Sequence, residues 1–177
     1  MSGVLSGQRI AVLVDVQNVF YSAKHQHRAR LNYGRALEWV VGDRRLVRAI
    51  AYVVRSPEVD QAKFLTMLRG VGFETRVKEL RVRGDGTAHG DWDMGMALDA
   101  LALAPRVDTL CLWTGDGDFV ELVEVLKGQG VRVEVYAFRP STAEELMQAA
   151  TAFFEIGPDL LIVSPEAGAA EAPPTHD

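Results

Sequence analysis

The sequence has a single cysteine, no long apolar run and no excess of basic residues, and these shortages exclude several classes of protein. Cys111 cannot form an intramolecular disulfide and lies in the apolar run TLCLW, so we expect a small buried side chain rather than a nucleophile. No stretch approaches the roughly 18 apolar residues of a membrane span, and the amino terminus does not have the pattern of a signal peptide. We therefore expect a cytoplasmic protein without membrane attachment.

The charge balance limits the ways in which this chain can bind nucleic acid. Lysine and arginine total 19 against 24 aspartates and glutamates, for a net charge of -5. General binders of the phosphate backbone normally carry a basic surface, so this balance argues against that class. Any nucleic acid must be met by a local patch, with metal ions screening the acidic side chains.

Length and composition predict one folded domain with a short segment at each end. A chain of 177 residues, 48% apolar, is long enough for one core and short for two. We predict a flexible segment over residues 1–8, a domain over residues 9–163 and a disordered tail over residues 164–177, where the composition shifts to Pro, Ala, Gly and Glu. The glycine-rich segment 81–90 is predicted to be a mobile loop.

Short apolar runs rich in valine and isoleucine alternate with segments of helical period, which is typical of repeated β-α units on a parallel sheet. The predicted strands are Ile10–Val14, Leu46–Val54, Glu74–Leu80, Thr109–Trp113 and Val131–Ala137. The predicted helices are Val19 to about Gln26, Gly34–Val41, Val59–Arg69, Trp92–Ala104, Phe119–Lys127 and Ala143–Ala150. The fold class is therefore α/β with a mainly parallel central sheet.

Two of the predicted strands end at acidic residues. Asp15 follows the first strand, and Asp116 and Asp118 follow the fourth in WTGDGDF. Ligand sites of open parallel sheets form outside the carboxyl ends of the strands. If the first and fourth strands are neighbours, three carboxylates meet at one edge of the sheet. Asp15 is hard to explain as structure alone, because a carboxylate at the end of a buried strand is costly unless it is paired or binds a metal.

The polar residues near these strand ends also have structural interpretations. Asn18 and Asp118 both precede helical patterns and fit N-caps, a role that is compatible with metal or water contact. Asp116 lies between two glycines and fits a plain turn. Thr114 fits either a β-forming residue or a hydroxyl that orients a water. We favour Asp116 as the more direct metal ligand, with Asp118 as both cap and ligand.

A third acidic group opens the fourth predicted helix, in GDWDMGMALDAL. Asp91 is predicted to cap this helix, and Asp93 lies in its first turn, where the helix dipole favours negative charge. Asp93 and Asp99 are six residues apart and point about 120° away from each other around the helix. Asp93 is the better ligand candidate, and Asp99 is expected to support the site or to bond a neighbouring backbone group.

Clusters of oxygen donors without histidine or cysteine suit hard cations, here Mg²⁺ or Mn²⁺. His25 and His27 are two residues apart on a helix and face different directions, so a zinc site is not expected. A hard cation binds substrate phosphate and lowers the pKa of an attacking water, as phosphodiester hydrolysis requires. Asn18 is a neutral group that can orient this water or a phosphate.

Three motifs occur in the order VDVQN, HGDWDMGMALDAL and TGDGDF. Because of them, residues 9–163 resemble the NYN domain family, and especially its LabA-like bacterial branch within the PIN-like nuclease superfamily. The resemblance implies a Rossmann-like α/β/α sandwich and a Mg²⁺- or Mn²⁺-dependent ribonuclease. It places catalytic residues at Asp15, Asn18, Asp93, Asp116 and Asp118, all but the asparagine as metal ligands. Behind them, support is expected from Asp99, Thr114 and Asp91.

The partner that the resemblance implies is RNA. Single-stranded RNA is expected, because unpaired strands offer bases for stacking and a flexible backbone. Arg81, Arg83 and Arg28 are predicted RNA contacts. Tyr21 and Trp92 are candidate stacking faces, although a tryptophan inside a helix is usually core. His89 stands where many members have a lysine, which weakens the expectation of a phosphate contact there.

Two interpretations from other classes remain open. A non-catalytic module would act by binding protein partners or a second copy of itself, and the low basicity of the chain supports it. A phosphoryl-accepting receiver or a phosphatase also uses an aspartate after the first strand. A receiver needs a further acid beside that aspartate and a lysine after the last strand, where this chain has AFRPST.

Overall fold

A computed structural model of the chain describes residues 5–55, 61–82 and 88–163. Within these ranges the strands are β1 (Arg9–Asp15), β2 (Ala29–Leu31), β3 (Arg45–Arg55), β4 (Glu74–Glu79), β5 (Arg81–Val82), β6 (Ala88–His89), β7 (Thr109–Trp113), β8 (Arg132–Ala137), β9 (Ala152–Glu155) and β10 (Leu161–Val163). The α-helices are α1 (Val16–His27), α2 (Tyr33–Val41), α3 (Ala62–Gly70), α4 (Asp93–Leu103), α5 (Val120–Gly128) and α6 (Glu144–Ala149).

Six of the strands form one parallel sheet in the order β4-β3-β1-β7-β8-β9. The chain builds β1, β3 and β4 outward on one side, then returns to place β7, β8 and β9 on the other side of β1. The strand order therefore reverses between β1 and β7. In open α/β sheets this reversal leaves a crevice at the carboxyl ends of the two strands, where ligands bind.

Helices cover both faces of the sheet, because the central strands are apolar on both sides. In β1 the residues Ile10–Val14 are all inaccessible to solvent. Its even-numbered side chains belong to a core with α1, α2 and α3. Its odd-numbered side chains belong to a second core with α4, α5 and α6. The fold is the three-layer α/β/α sandwich that the sequence predicts, and all five predicted strands are confirmed.

Some local predictions were wrong. The segment 81–90 was predicted to be a loop, but its ends form the strands β5 and β6, which pair in an antiparallel ladder. Residues 83–87 lie outside the described part of the chain. The start predicted for the third helix also lies outside it, and α3 begins at Ala62. Three strands of three or four residues were not predicted, namely β2, β9 and β10. The buried position predicted for Cys111 is confirmed.

Among the described residues, no helix is long and apolar enough to cross a membrane. The predicted tail, residues 164–177, lies outside the described part of the chain.

Candidate metal centre

The first side of the site is the junction between β1 and α1. Asp15 ends the strand and caps the helix, since its Oδ1 accepts a hydrogen bond from the Asn18 N–H at 3.2 Å. The N-cap predicted at Asn18 was wrong, because the helix begins three residues earlier than its apolar pattern indicates. The Asn18 side chain instead accepts a hydrogen bond from the Gly115 N–H at 2.9 Å. It thereby ties α1 to the segment that follows β7.

Thr114 joins this junction to the next acidic turn. Its buried hydroxyl donates to Asp15 Oδ2 at 3.2 Å and accepts from the Asp116 N–H at 3.2 Å. Asp116 caps the 3-10 turn Gly117–Phe119, because its Oδ1 accepts from the Asp118 N–H at 3.0 Å. The cap predicted at Asp118 was therefore wrong, and Asp116 holds that role.

Helix α4 supplies the third side of the site. Its N-cap residue is Trp92, whose side chain makes no capping hydrogen bond, so the cap predicted at Asp91 was wrong. Asp93 is the first helical residue and is directed toward the acidic turn after β7. Asp99 points elsewhere, accepting hydrogen bonds from the Tyr52 hydroxyl at 2.6 Å and from Arg76. Burial tends to raise the pKa of Asp99, but these two donors outweigh it and hold the pKa below its usual range.

Three carboxylates converge at this place. Asp93, Asp116 and Asp118 each offer an oxygen atom, and the three oxygens lie within 4.8 Å of one another. Asp15 lies in the same cleft but outside this set, with both carboxylate oxygens engaged by the hydrogen bonds described above. The fold thus brings together three of the predicted metal ligands: Asp116 and Asp118 from the turn, and Asp93 from the start of α4.

Burial, with a further contribution from the neighbouring carboxylates, raises the pKa values of Asp93 and Asp15. Partial burial, and then the charges of Asp116, Asp91, Asp15 and Asp118, raise the pKa of Asp93 to about 6. Burial also raises the pKa of Asp15, against the opposing effect of its hydrogen bonds, and the neighbouring carboxylates raise it further. Negative charge concentrated in this way is stabilised by a bound cation.

The donor set fits a hard divalent cation. All three candidate ligands are carboxylates, the type that Mg²⁺ and Mn²⁺ prefer. Their oxygens lie within 4.8 Å of one another, close enough that small side-chain movements would let all three bind one ion. Three protein ligands leave the remaining positions of an octahedral shell for water and substrate.

The acidic cluster opens into a cleft of about 290 Å³. Residues from α1, β3, the start of α4 and the loops after β7 and β8 line it: Asp15, Gln17, Asn18, Tyr21, Ser22, Tyr52, Val54, Asp91, Trp92, Asp93, Asp116 and Ser141. The cleft lies at the carboxyl ends of β1 and β7, where the strand order reverses. Its mixed polar and aromatic walls suit an extended polar ligand.

Several residues that line the cleft were not predicted, because the sequence pattern used to locate the site was acidic residues at strand ends. Tyr52 pairs with Asp15 in the β1–β3 register, so the end of β3 carried a usable signal. Ser141 lies in the loop after β8, and its hydroxyl donates to Ser22 at 2.9 Å. Of the predicted RNA contacts, Arg28 is exposed at the end of α1, whereas Arg83 and the side chain of Arg81 lie outside the described part of the structure.

Together, the parallel sandwich and its acidic cluster at the strand reversal define a PIN-like domain with a nuclease-like fold. The NYN domain family model matches residues 9–157, and the chain belongs to this family. It is LabA-like, being 24% identical over 156 residues to the low amplitude and bright protein LabA of Synechococcus elongatus, with 84% of this chain and 83% of that protein covered. The predicted family is confirmed.

A solved structure supports the same fold. A protein of unknown function from Vibrio parahaemolyticus is 39% identical and superimposes with a TM-score of 0.83, covering 92% of this chain and 100% of that chain.

Proposed function

We propose that the protein is a Mg²⁺- or Mn²⁺-dependent ribonuclease that hydrolyses phosphodiester bonds in single-stranded RNA. The observation that carries this proposal is the convergence of the Asp93, Asp116 and Asp118 carboxylates at an open cleft that Asp93 and Asp116 line. An RNA substrate also agrees with the cytoplasmic location expected from the sequence.

The three converging carboxylates would hold the divalent ion. When bound, the ion would supply charge to a phosphoryl oxygen and acidify an attacking water. Asp15 keeps its carboxylate at the edge of the cluster through Thr114 and the Asn18 backbone, so it is positioned to accept a proton from that water. The Asn18 Oδ1 is bound to the Gly115 N–H, so the Nδ2 group is the part of this amide that serves a phosphate oxygen.

A cleft rich in carboxylates repels RNA in the absence of cations, so binding and catalysis should both depend on the metal. Lys78, on the edge strand β4 beside Trp92, supplies positive charge close to the cleft. Arg28 supplies further charge at the far end of α1. We propose Lys78 and Arg28 as the local basic residues that an RNA-binding chain with an overall charge of -5 requires.

The test is cleavage of a fluorescent single-stranded oligoribonucleotide by purified protein with Mn²⁺ or Mg²⁺, and with EDTA. We expect cleavage only with the metal, and a loss of at least about 100-fold for Asp93→Asn and for Asp116→Asn, the scale of losing one charged transition-state contact. The matched control is Asp43→Asn, an exposed aspartate before β3 at the opposite edge of the sheet. Metal-dependent cleavage that survives both cluster substitutions would refute the site.

The second candidate is a non-catalytic interaction module. The exposed apolar side chains of Met94 and Leu98 on α4, 70% and 60% accessible, favour a partner surface. Folded protein that binds Mn²⁺ by calorimetry but cleaves none of a panel of RNA sequences would support this candidate over the ribonuclease.

A further inference from the structure

Helix α1 leads out of the acidic cleft with a regular series of side chains. Asp15 caps the helix, and Asn18, Tyr21 and His25 follow at intervals of three or four residues, so they lie along one face. Asn18 and Tyr21 line the cleft, and Arg28 ends the helix about 10 Å beyond Tyr21 at 1.5 Å per residue. Helix α1 therefore leads from the acidic cluster, past the rings of Tyr21 and His25, to the positively charged Arg28 at its end.

Tyr21 is exposed to solvent and lies beside a second aromatic ring. Its side chain is 50% accessible although it borders the cleft. The His25 ring lies nearly parallel to it, with centroids 6.1 Å apart and an interplanar angle of 17°. The exposed part of the Tyr21 ring is therefore open to a ligand that stacks on it.

Trp92 is the other aromatic residue that the sequence suggested for stacking, but it has a structural role. Its Nε1 donates to the Val53 carbonyl at 3.0 Å, and the Lys78 ammonium lies 4.2 Å from its ring centroid. The Tyr52 ring lies 5.4 Å away. Helix α4 also packs directly on it, since a Cβ added at Gly95 would come within 2.6 Å of the indole. These contacts occupy the indole, whereas half of Tyr21 is open to solvent.

We propose that Tyr21, backed by His25, forms a nucleobase-stacking subsite that holds an unpaired base next to the phosphate at the acidic cluster. This inference rests on the proposed ribonuclease function and deepens it. Stacking on an aromatic ring requires that the base present its face, so the subsite selects single-stranded over paired RNA. It tolerates different bases, because every base has a π face.

The experiment combines protein variants with a modified substrate. Steady-state cleavage with Mn²⁺ is measured for wild type, Tyr21→Ala and Tyr21→Phe on an oligoribonucleotide with one cleavage position. Each nucleotide near that position is replaced in turn by an abasic one. Stacking is worth about 1–3 kcal/mol per base, so Tyr21→Ala should lower kcat/KM by roughly 5- to 150-fold, mainly through KM. Tyr21→Phe should stay within about threefold of wild type, because the ring remains.

The abasic substrates decide whether the loss arises from stacking. At one position, the missing base should cost wild type about as much as Tyr21→Ala does and should cost the variant little more. The control is Trp39→Leu on α2, which removes a ring of similar exposure, 44%, outside the cleft. If Tyr21→Ala cleaves as well as wild type, or loses equally on every abasic substrate, the subsite is refuted while the ribonuclease stands.

A separate readout applies if wild type cleaves no RNA, an outcome that defeats the proposed function. An oligonucleotide carrying 2-aminopurine is then titrated with Mn²⁺-loaded protein. Quenching by wild type and by Tyr21→Phe but not by Tyr21→Ala supports the stacking subsite independently of cleavage. Equal quenching by all three proteins, or none by any, overturns it.

Discussion

Asp93 has a carboxyl group whose ionisation opposes folding when no metal is bound. Its pKa is raised to about 6 by partial burial and by the surrounding carboxylates. The folded state therefore holds a proton on this group at pH values where the unfolded chain, with a pKa near 3.8, has released it. Stability of the metal-free protein falls as pH rises through the window from about 4 to 6, and the full penalty is present above 6.

Asp93→Asn should therefore stabilise the metal-free protein. In EDTA we expect a higher midpoint of thermal unfolding than for wild type at pH 7.5, and a smaller gain at pH 4.5, where the native carboxyl is largely protonated. With saturating Mn²⁺ the order should reverse, because the ion stabilises wild type and has lost a ligand in the variant. A lower midpoint for the variant in EDTA at pH 7.5 would contradict this account of the site.

At the scale of elements, the close approach of two loops fixes the acidic turn. Gly115 lies between β7 and the 3-10 turn, directly against the loop after β8. A Cβ at this position would come within 2.7 Å of the Ser141 carbonyl oxygen and 3.0 Å of the Thr142 Cα. The Ala143 N–H also donates to the Gly115 carbonyl at 2.9 Å. Only glycine allows the two backbones to lie so close together.

Gly115→Ala should separate these loops and displace Asp116. We expect a loss of about 1–3 kcal/mol in the free energy of unfolding in urea, together with impaired Mn²⁺ binding. The matched control is Gly128→Ala at the end of α5, where an added Cβ meets no atom within 4 Å. That control should be neutral or stabilising by up to about 1 kcal/mol. Equal stability of the Gly115 variant and wild type would show that the loops can adjust freely.

Elements with a strong periodic signal were predictable, and those defined by contacts across the fold were not. The apolar runs of β1 and β7 predicted both strands, because each is buried on both faces. Four residues of β9 carry too little pattern, and their place depends on pairing with β8. The period of the helix alone predicted that Asp93 faces the acidic cluster and that Asp99 points away from it. The caps predicted at Asn18 and Asp118 were misplaced by three and two residues, because the first turn of α1 and the turn after β7 lack the apolar spacing of a helix interior.

A buried ion pair connects the two halves of the sheet. Arg44 precedes β3, and its Nη1 lies 2.9 Å from Oε2 of Glu134 on β8, with 8% and 1% of the two side chains accessible. Tyr136 and Arg132 also donate to this carboxylate. Burial tends to raise the pKa of Glu134, but these donors together hold it below its usual range.

Arg44→Met should destabilise the protein by about 3 kcal/mol, because a buried carboxylate loses the more deeply buried of its two arginine partners. Losing this partner raises the pKa of Glu134, so the deficit should be larger at pH 8 than at pH 4, because protonation of the carboxyl at lower pH relieves the cost of burying its charge. Denaturant unfolding at the two pH values measures this difference. Arg45→Met, at the exposed neighbouring residue, is the control. A deficit that does not depend on pH would indicate lost packing rather than an unpaired charge.

The reversal of strand order between β1 and β7 divides the residues of the acidic cleft between the two halves of the chain. Asp15, Asn18 and Tyr21 belong to the amino-terminal half-sheet, whereas the three converging carboxylates belong to the carboxyl-terminal one. The site therefore lies at the boundary between the two half-sheets. The β1–β7 pairing joins these halves, together with hydrogen bonds between residues almost a hundred positions apart in the sequence. The acidic cleft is therefore complete only after both halves of the chain have been synthesised and have packed together.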